Sequence, residues 1–259
     1  MKPILHGARV NAATLMGKEL YRVEDGLGSI VVTQRGEKRV LSFDMGLEQS
    51  SVLINKPYYL SHEYTQIMLL GLVFTQPKHL TLLGLGGGGL AHCLSHYYPR
   101  VSIQVVEIRQ AVIDIAYEWF ELPRQSNLQV SCVNALKHMR QAEAGHTDLI
   151  LSDLYESTVM SEVQAHQSFI ESCYRALSEG GWIVFNFHEL PAEDSAVMEA
   201  ITNLFSEIYI CDVFKGNWVM FCGKSESEYS KPELTGRARD LVKKVEMPLM
   251  YYFKQLQRL

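Results

Sequence analysis

Between positions 84 and 89 the chain reads Gly-Leu-Gly-Gly-Gly-Gly, directly after the apolar run 80–83 and before a run with helical spacing over 90–97. No other feature narrows the fold as far. Five glycines in six positions let the backbone turn sharply and approach a bound group closely. The helix that follows then aims its free N–H groups at that group. The pattern is G-x-G-x-x-G between a strand and a helix, the arrangement of a nucleotide-binding βα turn. Its plain alternative is a glycine turn that only packs a helix onto a strand.

The rest of the chain supports the first reading. Strand-like runs over 80–83, 101–106, 128–133, 149–152 and 182–187 alternate with helical runs over 90–97, 111–120, 135–141, 162–177 and 192–205. Such alternation predicts an α/β domain with a parallel sheet covered on both faces. It ends differently, in two strands over 209–213 and 218–222 joined by Phe214-Lys-Gly-Asn217, a hairpin turn. Upstream, short β-rich runs over 20–23, 29–33 and 39–43, separated by turn residues, predict a small antiparallel sheet. Near His62 the period changes to that of a helix ending before Pro77. We divide the chain into a β-strand domain (1–60), a Rossmann-like nucleoside-binding catalytic domain (61–223), and a linker with a helical tail (224–259).

Composition excludes several classes of function. The 259 residues carry a net charge of −5 and a pI near 6.0, whereas a protein built to neutralise phosphates is normally basic, so nucleic acid is not expected as a partner. The balance suits a small cationic or amine substrate. Five widely spaced cysteines, Cys93, Cys132, Cys173, Cys211 and Cys222, read as buried free thiols of a reducing compartment rather than a disulfide framework. The first residues lack the apolar run of a signal peptide, and no apolar stretch approaches the ~20 residues of a membrane span, so the cytoplasm is expected and the membrane is not.

Strand ends carry the candidate chemistry. Glu107 closes the second strand of the alternating region, roughly 20 residues after the glycine turn, where an acid can accept both hydroxyls of a ribose; the alternative is a solvated acid. Asn134-Ala135 follows the third strand, and an amide there can donate to and accept from an adenine edge. Asp153 closes the fourth, followed by Leu154-Tyr155-Glu156; the alternative is an acid that caps the next segment. In an open α/β sheet these ends converge on one crevice. The loop and Glu107 together imply an adenosine ligand without separating NAD from S-adenosylmethionine.

Leu-Thr-Leu-Leu-Gly-Leu-Gly-Gly-Gly-Gly-Leu over 80–90, Val-Val-Glu-Ile over 105–108, Asp-Leu-Ile-Leu-Ser-Asp over 148–153 and the helix–strand unit over 169–187 resemble the spermidine synthase family. The stretch 28–51 is similar to that family's N-terminal β-domain. The resemblance covers roughly 20–223. It implies the class I methyltransferase fold, a mostly parallel seven-stranded sheet with a terminal antiparallel hairpin behind a small β-domain. It also implies S-adenosylmethionine or its decarboxylated form as donor, with no metal. By the resemblance Gln49, Gly84, Gly86, Gly87, Glu107, Ile108, Asn134, Ala135 and Asp153 hold the nucleoside. Asp153 is the catalytic acid, with Tyr155 and Glu156 lining the acceptor side.

The sequence departs from the family pattern at three points. Gly87 stands where an aminopropyltransferase carries an aspartate, Glu156 replaces a second aspartate and lacks the following proline, and Asn134 replaces the aspartate of an Asp-Gly pair. The expected activity is aminopropyl transfer from a decarboxylated S-adenosylmethionine-type donor to an amine. Methyl transfer from S-adenosylmethionine and a non-catalytic nucleoside-binding role are the alternatives. His92 and His96, four apart on a helix, have no third ligand at matching spacing and read as solvated. The amphipathic tail over 237–259 predicts a helix packed on the body or on a second copy, and a homodimer is expected.

Overall fold

The computed structural model describes residues 17–43, 47–156, 159–160, 162–213 and 216–259. Phe214 and Lys215 of the expected hairpin turn lie outside them. Four antiparallel strands come first, β1 (Lys18–Asp25), β2 (Gly28–Arg35), β3 (Lys38–Phe43) and β4 (Leu47–Leu53), paired in that order. β4 does not read as a strand, because Glu48-Gln-Ser-Ser51 offers no apolar alternation. It forms through its register on β3, from Lys38 opposite Leu53 to Phe43 opposite Leu47.

The single helix expected before Pro77 is two, α1 (Glu63–Met68) and α2 (Gly71–Phe74). They part near Gly71, where a Cβ would stand 2.7 Å from Val184 Cγ2. Only glycine lets the backbone approach the sheet so closely.

The alternating region follows as β5 (His79–Leu83), α3 (Gly89–Tyr97), β6 (Ser102–Glu107), α4 (Gln110–Trp119), β7 (Leu128–Cys132), α5 (Ala135–Gln141) and β8 (Thr147–Ser152). A two-stranded ribbon of β9 (Tyr155–Glu156) and β10 (Val159–Met160) comes next, then a 3-10 turn over Glu162–Ala165 and α6 (Gln167–Ala176). The helix expected from residue 162 therefore starts at Gln167. The tighter turn before it turns Gln164 into the core, where it is fully buried. The chain continues with β11 (Leu177–Phe187), α7 (Ala196–Leu204), β12 (Glu207–Val213) and β13 (Asn217–Gly223). α7 starts later than expected because Ser195 caps it, accepting a hydrogen bond from Met198 N. The tail helix α8 (Lys231–Val245) starts earlier, at a capping box of Ser230 and Glu233. After α9 (Leu249–Phe253), β14 (Gln257–Arg258) pairs with β12.

The central sheet has the order β14-β12-β13-β11-β8-β5-β6-β7. The expected seven strands are thus extended by β14. β5, β6, β7, β8 and β11 are parallel, and β13 runs against both neighbours. The inner strands are apolar throughout because both faces are covered. On β11, Trp182 and Val184 join the core shared with the N-terminal sheet, α1 to α4, α8 and α9; Ile183, Phe185 and Phe187 join the core under α5, α6 and α7. Strand order reverses at β5 and β8, which opens a crevice beyond their carboxyl ends. The N-terminal sheet lies across it. Among the described residues no helix is long and apolar enough to cross a membrane.

Candidate active site

The crevice is a cavity of about 200 Å³. Gly84, at the end of β5, has φ +92°, and a Cβ there would fall 2.1 Å from the carbonyl oxygen of Asp153. Gly84 N donates to Val106 O and Asp153 N to Leu83 O, so the three central strand ends are held against each other. Any side chain at position 84 would push β8 away and open the cavity floor. Gly88, with φ +80°, is the N-cap of α3.

Glu107 ends β6 with its carboxylate beside the glycine turn. Oε2 accepts from Leu85 N at 3.1 Å and Oε1 from Arg109 N at 2.9 Å. It is a half-buried acid tied into the loop, not a solvated one. Burial raises its pKa, and the amides of Arg109, Leu85 and Ile108 oppose the shift. Each carboxylate oxygen accepts in more than one direction, so an acid held this way can also accept from ribose hydroxyls.

Gln49, Ser50 and Ser51 of β4 line the opposite wall with Leu60, Ser61 and His62. A buried arginine joins that sheet to the Rossmann-like body. Arg109 donates from Nε and Nη2 to the two carboxylate oxygens of Asp25 at 3.0 and 2.8 Å, and from Nη2 to Gly28 O at 2.7 Å. Its guanidinium lies over the Phe43 ring. The guanidinium beside Asp25 holds that carboxyl below the ordinary range. The clamp fixes the β1–β2 turn over the mouth of the cavity. There Leu27 and Ile108, two of the most exposed large apolar side chains, both line the opening.

Asn134 and Ala135 also line the cavity. Asn134 is the N-cap of α5, and its Oδ1 accepts from Lys137 N at 3.1 Å. The oxygen is committed to the helix, so the amide offers a ligand its N–H rather than the two-way contact expected from sequence.

Asp153 faces the same cavity from β8. Asn186 Nδ2 donates to its Oδ1 at 2.8 Å and Tyr64 OH to its Oδ2 at 3.4 Å. These partners belong to β11 and α1, so the carboxylate is held across the fold rather than spent on capping the next segment. Burial pushes its pKa up to about 6, against the lowering effect of Asn186 and Tyr64. Beside it, His62 Nε2 lies 3.1 Å from Ser51 Oγ and 3.5 Å from Glu48 Oε1. Burial lowers the His62 pKa, and the nearby Glu48 opposes the shift.

The structure therefore brings Gln49, Gly84, Gly86, Glu107, Ile108, Asn134, Ala135 and Asp153 to one cavity. Gly87 does not line it; a Cβ at Gly87 would stand 2.8 Å from Phe120 Cε1 and 3.2 Å from Ser50 Oγ. Tyr155 and Glu156 form β9, and their side chains lie outside what is described. His92, expected to be solvated, is buried with Nε2 2.8 Å from the backbone carbonyl of Phe120, the residue whose ring faces Gly87. His96 stacks on Tyr58. Cys132 is exposed, unlike the other four cysteines, because it sits at the end of the edge strand β7. Sequence reasoning missed Tyr64, His62, Arg109 and Asn186. Only Asn186 left a signal, as an amide inside the apolar run 182–187.

The spermine/spermidine synthase domain matches residues 61–221, which contain the glycine turn, Glu107, Asn134 and Asp153. The chain belongs to the spermine/spermidine synthase family. Relatives of this family member include a polyamine aminopropyltransferase of Neisseria meningitidis, 27% identical over 194 residues, covering 73% of this chain and 72% of the relative. The eEF1A lysine and N-terminal methyltransferase of Xenopus laevis is 27% identical over 225 residues, covering 78% of this chain and 32% of the relative. Both are transferases. Among solved structures, a probable spermidine synthase from Corynebacterium glutamicum matches with a TM-score of 0.73 at 20% identity over 87% of each chain. Human methyltransferase-like protein 13 in complex with SAH matches with a TM-score of 0.63 at 22% identity, over 72% of this chain and 94% of that one. The family member thus has the class I methyltransferase fold behind an N-terminal antiparallel sheet.

Proposed function

We propose that this family member transfers an aminopropyl group from decarboxylated S-adenosylmethionine to a small amine. The observation that carries the reading is Asp153, a half-buried acid that desolvation raises to about 6 and that shares one cavity with the glycine turn and Glu107. An amine is protonated at neutral pH and cannot attack until it gives up a proton. A carboxylate with a raised pKa is mostly ionised at pH 7 and more basic than an ordinary aspartate, as a general base requires.

Glu107 would hold the ribose, Asn134 the adenine, and the turn at Gly84–Gly86 the sulfur end of the donor. Asp153 takes one proton from the acceptor ammonium. The freed nitrogen attacks the aminopropyl carbon next to the sulfonium, the C–S bond breaks with its electron pair on sulfur, and methylthioadenosine leaves with a secondary ammonium product. Both substrates are cationic. A charge pair at ~4 Å gains roughly 4 kcal/mol at an effective dielectric near 20, before desolvation is subtracted.

Methyl transfer is the second reading, and Gly87 favours it. An acid at that place would repel the carboxylate of full S-adenosylmethionine, and this chain has none there. Incubation with each donor and a panel of mono- and diamines, followed by mass spectrometry of the nucleoside products, tests both. Methylthioadenosine together with an aminopropylated amine supports the proposal. S-adenosylhomocysteine with a methylated acceptor replaces it by the second reading, and tight nucleoside binding with neither product assigns a binding role only.

A further inference from the structure

Asp153 is the end of a chain of side-chain amides, of which Asn186 and Gln164 are fully buried. Asn186 lies near the carboxyl end of β11 and donates through Nδ2 to Asp153 Oδ1 at 2.8 Å. Its own Oδ1 accepts from Asn217 Nδ2 at 2.8 Å, at the start of β13. Its backbone carbonyl accepts from Gln164 Nε2 at 3.3 Å, and Gln164 Oε1 accepts from Ser152 Oγ at 2.7 Å, next to Asp153. Burying these amides costs free energy unless every polar atom is paired. An apolar residue would serve the strand better if packing were the only demand on position 186.

The pairing also has a direction. An ionised carboxylate only accepts, so the atom of Asn186 that touches it must be the N–H. The amide oxygen then points the other way, where Asn217 supplies a donor and resists a flip. One oxygen of Asp153 is thereby engaged at all times. The other, Oδ2, has among the described residues the one long contact from Tyr64 OH at 3.4 Å.

We propose that Asn186, oriented by Asn217, is a positioning residue that fixes the Asp153 carboxylate by its Oδ1 and leaves Oδ2 as the oxygen that takes the acceptor's proton. This rests on the reading of Asp153 as the general base. Among the described residues, the titratable and charged groups sharing the cavity are Tyr64 and His62 from the α1 end, Glu107 from β6, and Arg109, which is paired with Asp25.

The test uses the full chain labelled with 13C at its aspartate carboxyls, Asp153 being assigned by loss of its signal in Asp153→Asn. In Asn186→Leu the Asp153 titration should move up by about one to two pH units, the size of a lost hydrogen bond to a charged group. Asn217→Ala should move it the same way by less. Methylthioadenosine affinity should stay within about threefold in both, while kcat falls about 10–100-fold and the acidic limb of the pH–rate profile follows the titration. If Asn186→Leu does not fold, the Asn217→Ala titration decides. An unmoved Asp153 in a folded variant overturns the proposal, as does an equal loss of nucleoside affinity and rate. The titration needs no turnover, so a wild type that transfers nothing would sink the proposed function and leave this inference separately testable.

Discussion

The two halves of the cavity are built in opposite ways. The half proposed for the nucleoside is mostly backbone. Gly84 and Gly86 in one short turn, and Glu107 held by Leu85 N and Arg109 N, make it from the ends of two adjacent strands, β5 and β6. The half proposed for the acceptor is made of side chains from distant elements: Asp153 from β8, Asn186 from β11, Asn217 from β13, Tyr64 and His62 from the α1 end, Ser51 from β4. A backbone site tolerates little change but asks few residues to agree. A side-chain site changes its chemistry with each substitution, so relatives of one fold can differ in what they transfer and to what.

The sharpest break between the halves is expected at Asp153. Asp153→Asn should lower kcat by about 10²–10⁴-fold, the usual worth of a general base, with methylthioadenosine affinity changed less than about threefold. In the wild type, activity should fall as pH drops through about 6, where the base becomes protonated. Stability runs the other way. The folded-state pKa is raised above the unfolded one, so the acid's contribution is full below the unfolded value and is lost as pH rises through about 6. Asp153→Asn should therefore raise stability at pH 8 by up to roughly 3 kcal/mol, read by denaturant titration. A variant as unstable as the wild type at pH 8 would contradict the burial assigned to this carboxylate.

Next in size is the complementary change in the other half. Glu107→Ala removes an acceptor for the ribose hydroxyls and orphans two loop amides, so calorimetry should show nucleoside affinity about 10–100-fold weaker. At saturating donor kcat should change by less than about fivefold. A large kcat loss at saturation would mean that the halves are coupled through the loop rather than separable.

Thermal scans sharpen the identity of the nucleoside half. Methylthioadenosine or S-adenosylhomocysteine at ~100 times its dissociation constant should add about 2.7 kcal/mol of stability, in Asp153→Asn as in the wild type. NAD should add nothing, and protection by NAD alone would remove the thio-nucleoside assignment.

The smallest effect concerns the donor's far end. With Gly87 supplying no charge, competitive binding should show less than about a tenfold preference between S-adenosylmethionine and its decarboxylated form. Gly87→Asp is expected to move that preference toward the decarboxylated donor only where Phe120 gives way, because the new Cβ meets its ring at 2.8 Å. Pairing it with Phe120→Leu separates charge from crowding. A wild-type preference above a hundredfold would mean that another group supplies the missing acid.

What the sequence determined by itself is what local rules dictate. The glycine turn, the acid closing β6, the alternation of runs and the closing hairpin follow from φ requirements and apolar periodicity, which act over a few residues. The cap of Asn134 was visible as a residue, but its amide has its N–H left to offer the cavity because its oxygen was claimed by Lys137 N. Tertiary structure alone decided the rest. β4 became a strand through its partner β3, His92 was buried by a carbonyl 28 residues away, and Arg109 found Asp25 on another sheet. The surroundings of Asp153 come from four elements that the fold, and no spacing, brings together. A proton-accepting carboxylate is defined by its partners and its burial, and both are properties of packing.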